Sequence, residues 1–145
     1  MHYNFAKDLL AAKEKELELA RLLKARGKAK LVELNDDKKY DLLVHLHDGT
    51  TQTIELKHDM LCERTGNIGV EFSSWGKPSG IQVTEADYWC FALYDGFWVI
   101  PTDRLSGLIQ EFAFSRVASG GDEGSNTQMY LFKEDMLKRF MRKLR

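Results

Sequence analysis

Tyr40-Asp41-Leu42-Leu43-Val44-His45-Leu46-His47-Asp48-Gly49-Thr50-Thr51-Gln52-Thr53-Ile54-Glu55-Leu56-Lys57 is the stretch on which the reading of this chain turns. Both arms alternate apolar and polar side chains, the period of a half-buried strand, and Asp48-Gly49 between them is a strong hairpin signal. Leu42, Val44 and Leu46 fall on one face, with Ile54 and Leu56 as partners; Asp41, Leu43, His45, Glu55 and Lys57 take the other. Whether Asp41 meets Glu55 depends on the loop. A two-residue turn at Asp48-Gly49 pairs 47 with 50 and sets Asp41 opposite Leu56. A three-residue loop, His47-Asp48-Gly49 with Gly49 left-handed, pairs 46 with 50 and sets Asp41 opposite Glu55. The second is expected, because it makes the polar face coherent.

Working outward, residues 4–26 carry Leu9, Leu10, Leu17, Ala20 and Leu23 at helical spacing among strong helix formers, with Asn4 as cap and Gly27 as stop. Lys30–Leu34 reads as a short strand and Asn35-Asp36-Asp37 as a turn. Past the hairpin, 58–66 reads as a polar loop, Asn67–Ser73 as a strand and 75–80 as a loop. Thr84-Glu85-Ala86-Asp87 has capping-box spacing. The run Tyr88–Tyr94 suits a buried helix or a buried strand; a short helix from Thr84 running into a strand is favoured. Then follow Asp95-Gly96, a strand Phe97–Ile100 and a helix from Thr102 to about Glu111. Residues 118–127 read as the most mobile loop, Tyr130–Phe132 as a short strand and Lys133–Leu144 as a basic amphipathic helix at the C-terminus.

The 145 residues, 43% hydrophobic and 30% charged with two prolines, describe one globular domain over 1–145. The longest apolar run is far below the roughly 18 residues of a membrane helix, and the start lacks the pattern of a secretory signal. No membrane partner and a cytoplasmic location are therefore expected. Two cysteines exclude a disulfide framework and a four-cysteine zinc site. Net charge is −1, but its distribution is uneven: residues 1–30 carry eight basic and four acidic side chains, 133–145 six and two, and 31–132 seven and sixteen. Basic ends around an acidic centre suit a protein that touches phosphates outside and holds a cation inside, and equally suit solvated helices beside acidic loops.

Two carboxylates meeting at Asp41 and Glu55 repel, and burial raises at least one pKa unless a cation sits between them. Such hard oxygen ligands suit Mg²⁺, with Mn²⁺ as a substitute; it binds through one or two carboxylates plus substrate phosphate. An adjacent ammonium, Lys57, can orient a water or stabilise charge developing on phosphorus. Together these describe metal-assisted phosphodiester hydrolysis; the bland reading is a surface hairpin with ordinary charges.

The order helix, strand, Asp-bearing strand, Glu-x-Lys strand, helix, strand resembles the core of the PD-(D/E)XK nuclease superfamily. Tyr40-Asp41, Ile54-Glu55-Leu56-Lys57, Thr65-Gly66-Asn67 with Val70-Glu71, Pro78-Ser79-Gly80-Ile81 and Ala86-Asp87-Tyr88-Trp89 are similar to segments of small phage-type, Holliday-junction-resolvase-like endonucleases. The resemblance spans roughly residues 5–110, and Tyr40 stands where the motif has proline. It implies an α/β fold with an αβββαβ restriction-endonuclease-like core, a mixed central sheet flanked by helices, and metal-dependent cleavage of DNA leaving a 5′-phosphate. Carried over, Asp41 and Glu55 are metal ligands, Lys57 is the catalytic lysine and the Leu56 carbonyl adds a ligand. Many members place a first-helix glutamate over the metal. Of Glu14, Glu16 and Glu18, Glu16 is preferred because it shares a face with Ala12, Ala20 and Leu23.

For DNA contacts, Ser79, Gln82 and Thr84 flank a Gly-containing loop and the expected helix start, and Lys77 lies beside Trp75, the candidate stacking or wedge residue. Trp89 and Trp98 read as core, His45 as a neighbour of the metal ligands, and Glu71 as either a further ligand or a partner for a basic side chain. The C-terminal cluster Lys138, Arg139, Arg142, Lys143 and Arg145 can touch phosphates or flank a dimer contact. The expected function is a Mg²⁺-dependent DNA endonuclease, with a homodimer suited to paired cuts. The alternatives are an exonuclease or branched-DNA resolvase on the same core, and a noncatalytic nucleic-acid-binding module.

Overall fold

The computed structural model describes residues 5–35, 39–112, 117–120 and 126–145, with backbone alone over 5–9 and 117–120. Helix α1 (Phe5–Ala25) leads into an antiparallel meander, β1 (Leu31–Leu34), β2 (Leu42–His45) and β3 (Thr51–His58). A four-residue helix α2 (Cys62–Thr65) precedes β4 (Asn67–Ser74), β5 (Lys77–Pro78) and a 3₁₀ turn at Gly80–Gln82. Next come β6 (Tyr88–Leu93), β7 (Gly96–Pro101), α3 (Thr102–Phe112), β8 (Val117–Gly120), β9 (Thr127–Lys133), α4 (Glu134–Lys138) and β10 (Arg142–Lys143). Asn4, Asp36 and Asp37, expected in a cap and a turn, lie outside the described residues.

The strands form a six-stranded sheet, β1-β2-β3-β6-β7-β10, and a four-stranded sheet, β5-β4-β9-β8. In the larger sheet β6 runs parallel to β3 and every other pairing is antiparallel, so the fold is α/β with a mixed central sheet. The chain crosses from β3 to β6 through α2, β4, β5 and the 3₁₀ turn, so much of the crossing is β structure.

Pleating gives the larger sheet two buried faces. On one, Leu42, Val44, Ile54 and Cys90 pack against Leu19, Ala20 and Leu23 of α1. On the other, Trp89, Phe91 and Ile100 pack against α3 (Leu105, Leu108), β4 (Ile68, Val70) and Phe132 of β9. Each fully buried side chain of this size contributes roughly 1.5–3 kcal/mol. Among the described residues no helix is long and apolar enough to cross a membrane.

The β2–β3 loop is the three-residue one. Leu42 pairs with Ile54 and His45 with Thr51, a register that sets 46 against 50. The Leu46 amide donates to the Thr50 carbonyl at 2.9 Å, the Gly49 amide to the Leu46 carbonyl at 3.1 Å, and Gly49 has φ +89°. Asp48 Oδ1 closes the loop by accepting from the Thr50 amide and hydroxyl.

Four expectations are corrected. Residues 58–66 contain α2, because Asp59 Oδ1 accepts from the Leu61 and Cys62 amides and Gly66, at φ +73°, ends the turn. No helix starts at Thr84. Its hydroxyl accepts from the Ala86 amide, but Asp87 is drawn to β3, its Oδ2 accepting from the Thr53 amide and hydroxyl, and Tyr88–Leu93 is strand. Residues 118–127 are not one loop: 117–120 and 127–133 pair as β8 and β9, while 121–125 lie outside the described residues. The expected C-terminal helix over Lys133–Leu144 is helical only over Glu134–Lys138. The chain then turns at Arg139-Phe140, and Arg142 and Lys143 pair with Val99 and Trp98, satisfying backbone groups on β7 that a continuing helix would leave bare.

Candidate metal-binding active site

Asp41 sits just before β2 and is tied to β3 twice. Its amide donates to the Ile54 carbonyl at 2.9 Å, and its Oδ2 accepts from the Leu56 amide at 2.7 Å. One step beyond the Leu42–Ile54 pair, the ladder sets Asp41 opposite Glu55, and the two carboxyl groups interact. Lys57 leaves the same face of β3, with Nζ 3.7 Å from Glu55 Oε1.

β6 supplies the floor. Glu55 pairs with Trp89 and Lys57 with Phe91, both fully buried. Lys57 Nζ lies 5.4 Å from the Trp89 ring centroid, within cation–π range, and the indole N–H donates to Thr84 Oγ1 at 3.2 Å. Burial against this apolar floor pushes the Glu55 carboxyl up to about 8; Lys57 pulls against that rise and Asp41 adds to it. A carboxyl group raised by burial beside a second one marks a site short of positive charge, with Lys57 supplying part of it. Two such oxygen donors fit Mg²⁺ or Mn²⁺, which complete their shell with water and phosphate.

Glu16 is not brought to this pair. It is buried, whereas Glu14 and Glu18 are exposed, and it carries an ion pair with Lys13 at 3.2 Å. It shares the face of α1 that holds Leu19, Ala20 and Leu23, which packs on the Leu42–Ile54 side of the sheet, opposite to Glu55 and Lys57. Among the described residues no group of three or more His, Cys, Asp and Glu side chains is placed to hold a metal, and Asp41 and Glu55 are the two carboxyl groups that meet on this face. The Leu56 peptide lies between Glu55 and Lys57 with its amide held by Asp41.

Other expected residues lie around this centre or away from it. His45 bonds Glu33 of β1 at 2.7 Å. The Ser79 amide donates to the Phe72 carbonyl, and Gln82 is exposed. Thr84, expected to meet phosphate at a helix start, has its hydroxyl engaged by the Ala86 amide and the Trp89 indole. Glu71 is half-buried on β4, its carbonyl pressed against Gly80, where an added Cβ would come within 2.2 Å. Trp75 and Lys77 are exposed at the β4–β5 hairpin. Trp98 is half-buried, and its indole donates to Asp95.

The part played by Trp89 and Thr84 had no local sign. They reach the site because β6 runs parallel beside β3, a pairing across more than thirty residues. A second polar cluster holds the end of the β6–β7 hairpin: Lys138 bridges Asp95 and Glu134 and lies 4.7 Å from the Trp98 ring centroid. Beside it opens a cavity of about 570 Å³ lined by Thr65, Gly66, Asn67, Lys133, Glu134, Asp135 and Lys138. Asp41, Glu55 and Lys57 do not line it. Burial pushes the Cys62 thiol up to about 12 and the Cys90 thiol also well up, so neither is a nucleophile at neutral pH.

Comparison with protein-family models, with curated proteins and with solved structures finds no match to this chain.

Proposed function

We propose that this protein is a divalent-metal-dependent DNA endonuclease of the PD-(D/E)XK type, hydrolysing phosphodiester bonds. The observation that carries the reading is the meeting of Asp41 and Glu55 across the β2–β3 hairpin with Lys57 beside them on the same face. Support also comes from the order of elements: a helix, a three-stranded meander and then a strand parallel to the third agree with the expected αβββαβ core, although the crossing between β3 and β6 holds only a four-residue helix.

Asp41 and Glu55 would hold Mg²⁺, which when bound supplies a Lewis acid for a phosphate oxygen and for water. The protein's own groups do the rest. The Leu56 amide fixes the Asp41 carboxylate against the ladder, so that its orientation is set by backbone. Glu55 and the Trp89 face together hold the Lys57 ammonium at the carboxylate pair. From there Lys57 can orient the attacking water and offset charge on the phosphate as the bond breaks. The buried floor of Trp89 and Phe91 excludes water and strengthens each of these interactions.

The test is nicking of supercoiled plasmid with Mg²⁺, with Mn²⁺ and with EDTA, by the wild type and by Glu55→Gln. Metal-dependent nicking by the wild type alone is expected. A protein that binds DNA equally well in EDTA and never nicks it is a binding module, and the proposal fails.

A further inference from the structure

Trp75 and Gly76 form the two-residue tip that joins β4 to β5, between the paired Ser74 and Lys77. Their φ values, +53° and +73°, place both residues in the left-handed region, the geometry of a type I′ hairpin turn. Asn, Asp and Gly dominate such tips, because a Cβ there crowds the neighbouring backbone. Trp75 is the only non-glycine residue with positive φ among the described residues, and it is one of the bulkiest side chains available.

The fold gives little back for it. The side chain is 66% exposed, and no hydrogen bond or ring contact holds its indole among the described residues. Its amide donates to the Asn126 carbonyl at 3.2 Å, which ties the tip to the start of β9 and so holds the ring outward on a braced hairpin. A disfavoured backbone under an exposed aromatic ring points to a use outside the folded chain.

The surroundings identify the occupant. Among the described residues Ser73, Ser74, Gly76, Lys77 and Asn126 are the near neighbours along the hairpin and β9, so among these the ring is a single flat apolar surface. That is far smaller than the several hundred Å² of an apolar docking patch. One π-face beside one ammonium matches one base and its phosphate. In an intact duplex each base already stacks on its neighbours, so only an unpaired or terminal base offers a free face.

We propose that Trp75 stacks on an exposed base of DNA, an unpaired nucleotide or the end of a duplex, with Lys77 on the adjoining phosphate. The proposal rests on the nuclease reading for its ligand class and directs it toward tailed, gapped or branched DNA over continuous duplex.

The experiment measures fluorescence anisotropy of labelled oligonucleotides with the full chain in EDTA. The probes are a duplex with a single-stranded tail and a covalently closed duplex minicircle, which has neither ends nor unpaired bases. The variants are Trp75→Asn, which suits the turn, and Trp75→Phe, which keeps a ring; each is also melted. Trp75→Asn should bind the tailed duplex roughly 5- to 100-fold more weakly while its Tm rises by about 2–5 °C. Trp75→Phe should retain most of the affinity, and binding of the minicircle should be affected little. The proposal is overturned if Trp75→Asn binds the tailed duplex like the wild type, or weakens both probes alike. It is equally overturned if Trp75→Asn lowers Tm, since the ring is then part of the fold. A blue shift of Trp emission with vesicles of 3:1 phosphatidylcholine and phosphatidylglycerol, and none with tailed DNA, would assign the tip to a lipid surface and also overturn it. A wild type that never nicks plasmid yet loses tailed-duplex affinity through Trp75→Asn defeats hydrolysis and keeps stacking. Metal-dependent nicking with unchanged affinity in Trp75→Asn does the reverse.

Discussion

Lys57 is held by one acid and one aromatic face, with a third of its side chain still open to solvent, an arrangement suited to meeting a substrate. Lys57→Ala should leave the melting temperature nearly unchanged and lower plasmid nicking by about 10²-fold or more. Nicking at the wild-type rate would remove Lys57 from the chemistry. Asp41→Asn keeps one oxygen for the Leu56 amide but loses the charge, so Mn²⁺ affinity by calorimetry should fall by about tenfold or more. Unchanged affinity would place the metal elsewhere. Trp89 separates positioning from packing. Trp89→Phe keeps a π-face, and Trp89→Leu loses it; both should destabilise by about 1–4 kcal/mol, each also through the lost Thr84 bond. At temperatures where both are folded, nicking should survive better in Trp89→Phe. Equal nicking would mean that the ring serves packing alone.

At the scale of elements, one loop decides whether the site exists. The strands β2 and β3 alternate with a period of two, so a slip of one residue in their pairing reverses which face meets Glu55. Gly49→Ala meets no atom within 4 Å and should cost about 1 kcal/mol for its left-handed backbone, with Mn²⁺ binding retained. Deleting Asp48 leaves His47-Gly49 as a two-residue turn still flanked by Leu46 and Thr50, so Asp41 stays opposite Glu55 and Mn²⁺ binding should persist in calorimetry. Lost binding would show that the shortened turn slips the register and carries Asp41 away from Glu55. The hairpin and α1 were legible from local patterns alone. Thr84–Asp87 and the C-terminal segment were misread because their capping and helical spacings are local, whereas Asp87 is claimed by Thr53 and Arg142–Lys143 by β7.

Across the whole molecule the site carries a charge imbalance that couples pH to stability and, on the proposed function, to metal. Glu55 is raised in the folded state to about 8 from an ordinary carboxyl value of 4.5, by burial and by Asp41 against the pull of Lys57. Its contribution is therefore fully present below about pH 4.5 and lost as pH rises through about 8, because the unfolded chain ionises first. Without metal, the wild type should lose stability relative to Glu55→Gln over that window, on the order of a few kcal/mol. Thermal melts in EDTA from pH 5 to pH 8.5 measure it; parallel curves for the two proteins would refute the coupling. On the proposed function Mg²⁺ would bind the ionised form, so it should stabilise the wild type more as pH rises and release a proton on binding near pH 7. Calorimetry in two buffers of different ionisation enthalpy counts that proton.

The spacing of residues alone determined α1, the faces of the β2–β3 hairpin and the nature of Asp41, Glu55 and Lys57, because period and turn chemistry act over a few neighbours. The loop register needed the further condition that charged groups share a face, and the structure has that register. Only the tertiary arrangement decided that Trp89 lies under Lys57, that Glu16 lies across the sheet from Glu55, and that the C-terminus ends as an edge strand. These depend on pairing between β3 and β6 and between β7 and β10, contacts between distant residues that are set by which faces and edges remain to be covered once the local elements have formed.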